Sequence, residues 1–183
     1  QFLAENIAAV QAGGVATHFY APGPESAFGN FTGSGVTIGC VFWCLMSKNK
    51  ALKQVGRLSF IPALFGINEP ILFGAPIVLN PMFFIPFVIC GGIIGSLGGW
   101  AMYLGIMKCS TFTPPYVGVF LEGFLTNMDT MSIVVNAVQL ILSILIWYPF
   151  VKSYEKTYGN KEEETNAISA EDAAILDDLD LDF

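Results

Sequence analysis

Glu69 is the only charged residue between Arg57 and Lys108, and it stands between Asn68 and Pro70 in the run Phe65-Gly66-Ile67-Asn68-Glu69-Pro70-Ile71-Leu72-Phe73-Gly74-Ala75-Pro76. A carboxylate accepts hydrogen bonds strongly, and a neighbouring carboxamide both donates and accepts, so the pair could hold a polar solute. Placing an acid inside a long apolar region costs about 2.5–3.5 kcal/mol on insertion scales, and a chain that tolerates it usually uses the residue. Pro70 supplies no N–H to continue a helix and pushes Glu69 away from the helical region. Irregular backbone at membrane depth survives only where it is buried in protein or lines a wet cavity. Asn68-Glu69-Pro70 therefore reads as the tip of a re-entrant hairpin facing a polar solute site.

Two other stretches could contribute. Thr111 and Thr113 lie beside Pro114-Pro115, where no regular helix can run and the hydroxyls are offered to a solute or to freed carbonyls. Gly33 and Ser34, in Thr32-Gly33-Ser34-Gly35, allow backbone to approach a solute, although close helix packing through small residues explains them equally well. His18 is the only histidine and reads as an interfacial or hydrogen-bonded loop residue rather than a ligand. Cys40, Cys44, Cys90 and Cys109 form no CxxC pair and read as small core residues. No metal-ligand cluster or cofactor motif is evident. Glu122 and Asp129 are expected near an aqueous face.

The elements that must position these residues follow from composition. Of 183 residues, 54% are hydrophobic and 13% charged, with mean hydropathy +0.60, the profile of an all-α integral membrane protein in contact with a lipid bilayer. The net charge of −7 is local: residues 1–151 hold five acids and five bases, while ten acids and three lysines follow Val151. No basic, aromatic-interleaved surface suggests nucleic acid. The chain does not begin with Met and shows no signal-peptide pattern, and the expectation is the trailing part of something longer.

Along the chain, residues 1–27 are expected to form an N-terminal helix and irregular loop, residues 28–151 a membrane transport domain, and residues 152–183 an acidic, disordered cytoplasmic tail. Three transmembrane helices are expected, at Phe28–Met46, Met82–Met107 and Thr130–Val151, each long enough for the ~30 Å hydrocarbon core. Gly91, Gly95 and Gly99 mark a helix-contact stripe on the second. Ser47–Arg57, with four of the eight basic residues, is expected to be a cytoplasmic loop. If that loop and the basic run from Lys152 share one side, an even number of crossings separates them. The broken segments Leu58–Leu79 and Cys109–Asp129 are then expected to dip in as two re-entrant hairpins, one from each face, although both crossing would also preserve the parity. The C-terminus is placed in the cytoplasm.

The stretch from Gly66 to Pro81, Gly-Ile-Asn-Glu-Pro-Ile-Leu-Phe-Gly-Ala-Pro-Ile-Val-Leu-Asn-Pro, resembles the signature of the lactose/cellobiose family of phosphotransferase-system sugar permeases, the membrane C component of enzyme II. Gly33-Ser34-Gly35, Ser47-Lys48-Asn49-Lys50, Thr113-Pro114-Pro115 and Ile146-Trp147-Tyr148-Pro149-Phe150 fit as well, so the resemblance covers roughly Phe28 to Lys156. It implies a bacterial inner-membrane carrier, homodimeric at full length, that binds a β-linked disaccharide or β-glucoside and presents it to a IIB component for phosphorylation. It also implies that Glu69 hydrogen-bonds sugar hydroxyls near the phosphorylated position, with Asn68 beside it, and a role for Glu69 in deprotonating the accepting hydroxyl is a further possibility. Two departures stand out. Thr111 occupies the position of a usual tryptophan, which removes a stacking platform. The family's substrate-contacting histidine in an Ile-His-Gly context has no match, since His18 lies in Ala16-Thr17-His18-Phe19.

Other functions compatible with an intramembrane acid are an ion-coupled sugar symporter, with Glu69 carrying a proton, and a truncated non-transporting membrane subunit. No phosphoryl-carrying residue on a soluble domain is evident, so the chain reads as a permease component and not as a complete enzyme.

Overall fold

A computed structural model describes residues 2–18, 33–78, 80–115 and 117–178. The described residues are helical, without strands: α1 (Phe2–Gln11), α2 (Ile38–Leu45), α3 (Lys50–Leu64), α4 (Glu69–Gly74), α5 (Pro81–Tyr103), α6 (Val119–Asn127) and α7 (Met131–Asp178). Two of these, α5 and the Met131–Thr157 part of α7, are long and apolar enough to cross a membrane.

The third expected span is absent among the described residues. In place of a helix over Phe28–Met46, a turn at residues 33–37 leads into the eight-residue α2, about 12 Å of helix, and residues 28–32 lie outside the described residues. The glycines explain the difference. Gly33 and Gly35 have φ near +79° and +77°, and Val36 follows at +44°. Left-handed backbone is open to glycine, but at a β-branched residue it costs about 1–3 kcal/mol and persists only when its surroundings over-determine it. Beyond the turn, α2 is nearly all buried between α3 and α7. Gly39 makes this approach possible, because a Cβ there would collide with the Ser143 backbone of α7. The indole N–H of Trp43 donates to the Ile144 carbonyl at 2.7 Å and its ring meets Tyr148 at a centroid distance of 4.6 Å.

The basic cluster is a helix rather than a loop. Asn49 caps α3, its side-chain oxygen accepting from the backbone N–H of Ala51 and Leu52 at 2.9 and 3.1 Å, an arrangement that satisfies the otherwise orphan donors of a helix start. Lys50, Lys53 and Arg57 stay exposed, while Leu52, Gly56, Ser59 and Ala63 recur on the buried face. Only Met46-Ser47-Lys48-Asn49 connects α2 to α3. That corner is fastened to α7 by the Glu155 carboxylate, which accepts from the Ser47 hydroxyl and the Lys48 N–H, both at 2.6 Å, and pairs with Lys152 at 2.7 Å.

The first broken segment is interrupted where expected. α3 ends at Leu64, Phe65–Asn68 turns with Gly66 at φ +78°, and α4 starts with Pro70 in its first turn, where a missing N–H removes no helical bond. α4 packs back on α3. The second broken segment has no regular structure from Lys108 to Val117 apart from Tyr116, which lies outside the described residues, and then forms α6. The N–H groups of Thr111 and Phe112 both donate to the Thr126 carbonyl, at 3.0 and 3.2 Å. Met128 turns left-handed at φ +49°, and Asp129 accepts from the N–H of Lys108 and of Met131. Asp129 is thus a half-buried turn residue, whereas Glu122, expected near water, is buried, 6% exposed. Packing of α6 on α7 through Gly123 and Asn136 encloses it.

The main core gathers Val36, Val41, Ile71, Phe83, Ile94 and Trp147 from α2, α4, α5, α7 and the 33–37 turn. All four cysteines are free and buried. The helical backbone of α7 continues to Asp178 through residues expected to be disordered; their Glu, Lys and Ala content favours helix.

Candidate functional site

Asn68 is the centre of the site. Its side chain is 7% exposed and its Nδ2 donates to the Ser34 carbonyl at 2.9 Å. Gly33 lies directly against it: a Cβ at that position would sit 2.5 Å from Asn68 Cγ. Three predicted site residues from positions far apart in the chain are therefore one cluster. The Asn68 backbone carbonyl also accepts from Leu72 N at 3.0 Å, starting α4. With one amide proton committed to Ser34, the remaining N–H and the carboxamide oxygen are the groups through which Asn68 could meet a solute.

Glu69 follows as the first residue of α4. Its side chain is exposed in this chain and makes no hydrogen bond or ion pair with another described residue. Among the described residues it is not clamped in a structural pair, and the tip combines a hydrogen-bonded carboxamide with a carboxylate that no described residue engages.

The threonines stand apart from this cluster. Thr111 borders a cavity of about 300 Å³ whose lining includes Val15, Lys108, Cys109 and Asn127, and Thr113 is exposed. Neither side chain is hydrogen-bonded to the Asn68 tip among the described residues. The two broken segments do approach one another further along, where a Cβ on Gly118 would lie 3.6 Å from the Leu64 carbonyl oxygen at the end of α3.

His18 is engaged in structure. Its Nε2 lies 2.9 Å from a Glu5 carboxylate oxygen and its ring stacks on Phe2 with centroids 4.8 Å apart. The completely buried Asn6 bonds both the N–H and the carbonyl of His18 and the carbonyl of Ser110. The N-terminal helix is thereby pinned to the Thr-Pro-Pro segment. Among the described residues no group of three or more His, Cys, Asp or Glu side chains could hold a metal ion.

Sequence reading missed the buried polar edge of α7. Ser132, Asn136, Gln139 and Ser143 are all wholly buried. Their 4–3–4 spacing puts them on one helical face, a signal present in the sequence but hidden by the apolar residues between them. Gln139 Nε2 donates to the Ile94 carbonyl of α5 at 3.0 Å, and the Ser143 hydroxyl donates to the Val36 carbonyl at 2.7 Å while accepting from Gly39 N at 3.1 Å. Through Ser143 this edge bonds the 33–37 turn that carries Gly33 and Ser34.

Comparison with known proteins bears on the family of the chain. Residues 1–91 match the family described as phosphotransferase system, EIIC. The lactose-specific EIICB component of Staphylococcus haemolyticus is 35% identical over 173 residues, covering 87% of this chain and 29% of that protein; the Staphylococcus aureus protein of the same description is 34% identical over 166 residues, covering 86% and 28%. The crystal structure of the transporter ChbC, the IIC component of the N,N'-diacetylchitobiose-specific phosphotransferase system, superposes with a TM-score of 0.83 at 27% identity, over 88% of this chain and 38% of that one. The chain thus spans less than a third of the length of these curated relatives. Its all-helical fold, its two apolar long helices and these likenesses agree: the chain belongs to the EIIC family of the phosphotransferase system.

Proposed function

We propose that this chain contributes the sugar-binding tip of a membrane IIC component, which binds a β-linked disaccharide or β-glucoside and carries it to the cytoplasmic side for phosphorylation by a IIB component. The observation that carries the reading is the state of the tip: Asn68 held by Ser34 and Gly33, next to an exposed Glu69 with no ion pair among the described residues. A carboxylate with free lone pairs is suited to accept from vicinal hydroxyls, and charge-assisted bonds of this kind are about twice as strong as neutral ones. Thr111, Thr113, Ser34 and Gly33 are assigned to the walls of the same solute path. With a threonine in place of an aromatic platform at position 111, sugar recognition depends more on the Asn68–Glu69 pair. A IIB partner is supported by the EIICB composition of the staphylococcal relatives. A homodimer at full length and a cytoplasmic C-terminus belong to the same reading, as does the bacterial inner membrane.

Titration of the detergent-purified protein with cellobiose, lactose and N,N'-diacetylchitobiose tests it. At least one should bind, and Glu69→Gln should weaken that binding by at least about tenfold, the loss of one charged hydrogen bond of roughly 1.5–3 kcal/mol. Unaltered affinity in Glu69→Gln would remove the reading's main residue.

A further inference from the structure

We propose that Ser143, in the apolar part of α7, is a positioning residue for the sugar site, acting through the 33–37 turn on Asn68; this rests on the sugar-binding reading of the tip. The connection runs through hydrogen bonds at each end and the covalent backbone of the 33–37 turn between them. The Ser143 hydroxyl donates to the Val36 carbonyl at 2.7 Å and accepts from Gly39 N at 3.1 Å, so one side chain grips both ends of the segment that enters α2. Inside that grip, Val36 N donates to the Gly33 carbonyl at 3.2 Å. Between them, the Ser34 carbonyl accepts from Asn68 Nδ2 at 2.9 Å.

The turn needs holding. Three of its residues, Gly33, Gly35 and Val36, have positive φ, and Val36 is a β-branched residue in a conformation such residues avoid. Val36 and Ser143 are wholly buried, so water does not replace a lost hydroxyl. Deleting it leaves the Val36 carbonyl and the Gly39 N–H short of their partner, and the strained turn is free to relax. Gly33 sits against the Asn68 carboxamide with no space for even a methyl group. A shift of the turn is therefore passed directly to Asn68, which the same turn holds through Ser34. Ser143 touches no solute in this arrangement; it fixes where Asn68 stands.

The test combines a sugar-binding cycle with a readout that needs no sugar. Using the disaccharide bound most tightly by the wild-type protein, Ser143→Ala should raise Kd about tenfold, a coupling of ordinary size for residues in one hydrogen-bond network. Ser143→Cys, of similar volume and with a weaker donor, should give a smaller loss. In an Asn68→Ala background, Ser143→Ala should have almost no further effect. Independently, spin labels on Ser34→Cys and Phe73→Cys, both exposed positions in a chain whose four native cysteines are buried, should report one narrow distance distribution that broadens with Ser143→Ala. Additive affinity losses in the cycle, or an unbroadened distribution, overturn the proposal. If the wild-type protein binds none of the disaccharides while the distribution still broadens, the sugar reading fails and the mechanical link from Ser143 to the turn stands.

Discussion

α5 and the apolar part of α7 are alike in hydropathy and differ in what they bury. Their most apolar windows share a mean hydropathy of 1.9 and the same buried share, 28%, so neither number separates them. α5 turns Phe83, Pro86, Cys90 and Ile94 inward, whereas the first half of α7 turns in Ser132, Asn136, Gln139 and Ser143. Val135 is the apolar exception in that half, and further along α7 buries Trp147, Val151 and Tyr154. The outer faces match again: Ile85, Val88 and Ile89 on one helix, Val134, Val138 and Ile141 on the other, all exposed. Hydropathy thus reads the face toward the surroundings. In lipid, apolar contact between helices brings little hydrophobic gain, and close packing with interhelical hydrogen bonds takes over. That is why the polar residues of α7 point inward, onto the carbonyls of α5 and of the turn before α2.

The difference between the two halves of α7 can be tested by breaking each. The largest effect is expected at the apolar end. Trp147→Ala removes a wholly buried ring packed 6.0 Å from Phe83 and should cost about 3–5 kcal/mol in equilibrium unfolding from mixed micelles; a loss no larger than that of a polar-edge variant would erase the distinction. An intermediate effect is expected where α2 meets the polar edge. Gly39→Val drives side-chain atoms into the Ser143 backbone and should cost about 1–3 kcal/mol by overpacking, seen as a lowered thermal midpoint. Full stability in that variant would contradict the close approach of α2 and α7. The smallest effect belongs to Gln139→Leu, about 0.6 and at most about 1.7 kcal/mol, the range found for hydrogen bonds between membrane helices. The Gln139 carbonyl oxygen has no hydrogen-bond partner, so losing it removes a burden along with the bond to Ile94. A loss comparable to that of Trp147→Ala would show the polar edge to be the main clamp on α5.

The tip was legible because two local rules coincide there. A lone acid in an apolar run and a proline that cannot continue a helix both mark Asn68-Glu69-Pro70, and the helix does break at that point. The basic run from Lys48 to Arg57 was misread because charge density alone suggests a loop. Its helical period is carried by Leu52, Gly56, Ser59 and Ala63, two of them too small to stand out as a hydrophobic stripe. The expected span at Phe28–Met46 failed for a related reason. An absence of charge permits a helix, but Gly33 and Gly35 permit a left-handed turn equally well, and packing against Asn68 and Phe87 selects the turn. The threonines at 111 and 113 were singled out correctly as lying in broken backbone, yet nothing in their spacing could place them relative to Asn68.

By itself, the sequence determined that this is an all-helical membrane chain, where its two long apolar helices lie, and which acid stands alone in a long apolar run. These are consequences of transfer energies and backbone chemistry, which act residue by residue. Only the tertiary structure decided that Gly33, Ser34 and Asn68 form one cluster and that a serine more than 70 residues away in the chain braces it, since 143 − 68 is 75. Hydrogen bonds between buried groups depend on which helix faces meet, and that is settled by packing of the whole bundle rather than by any segment alone.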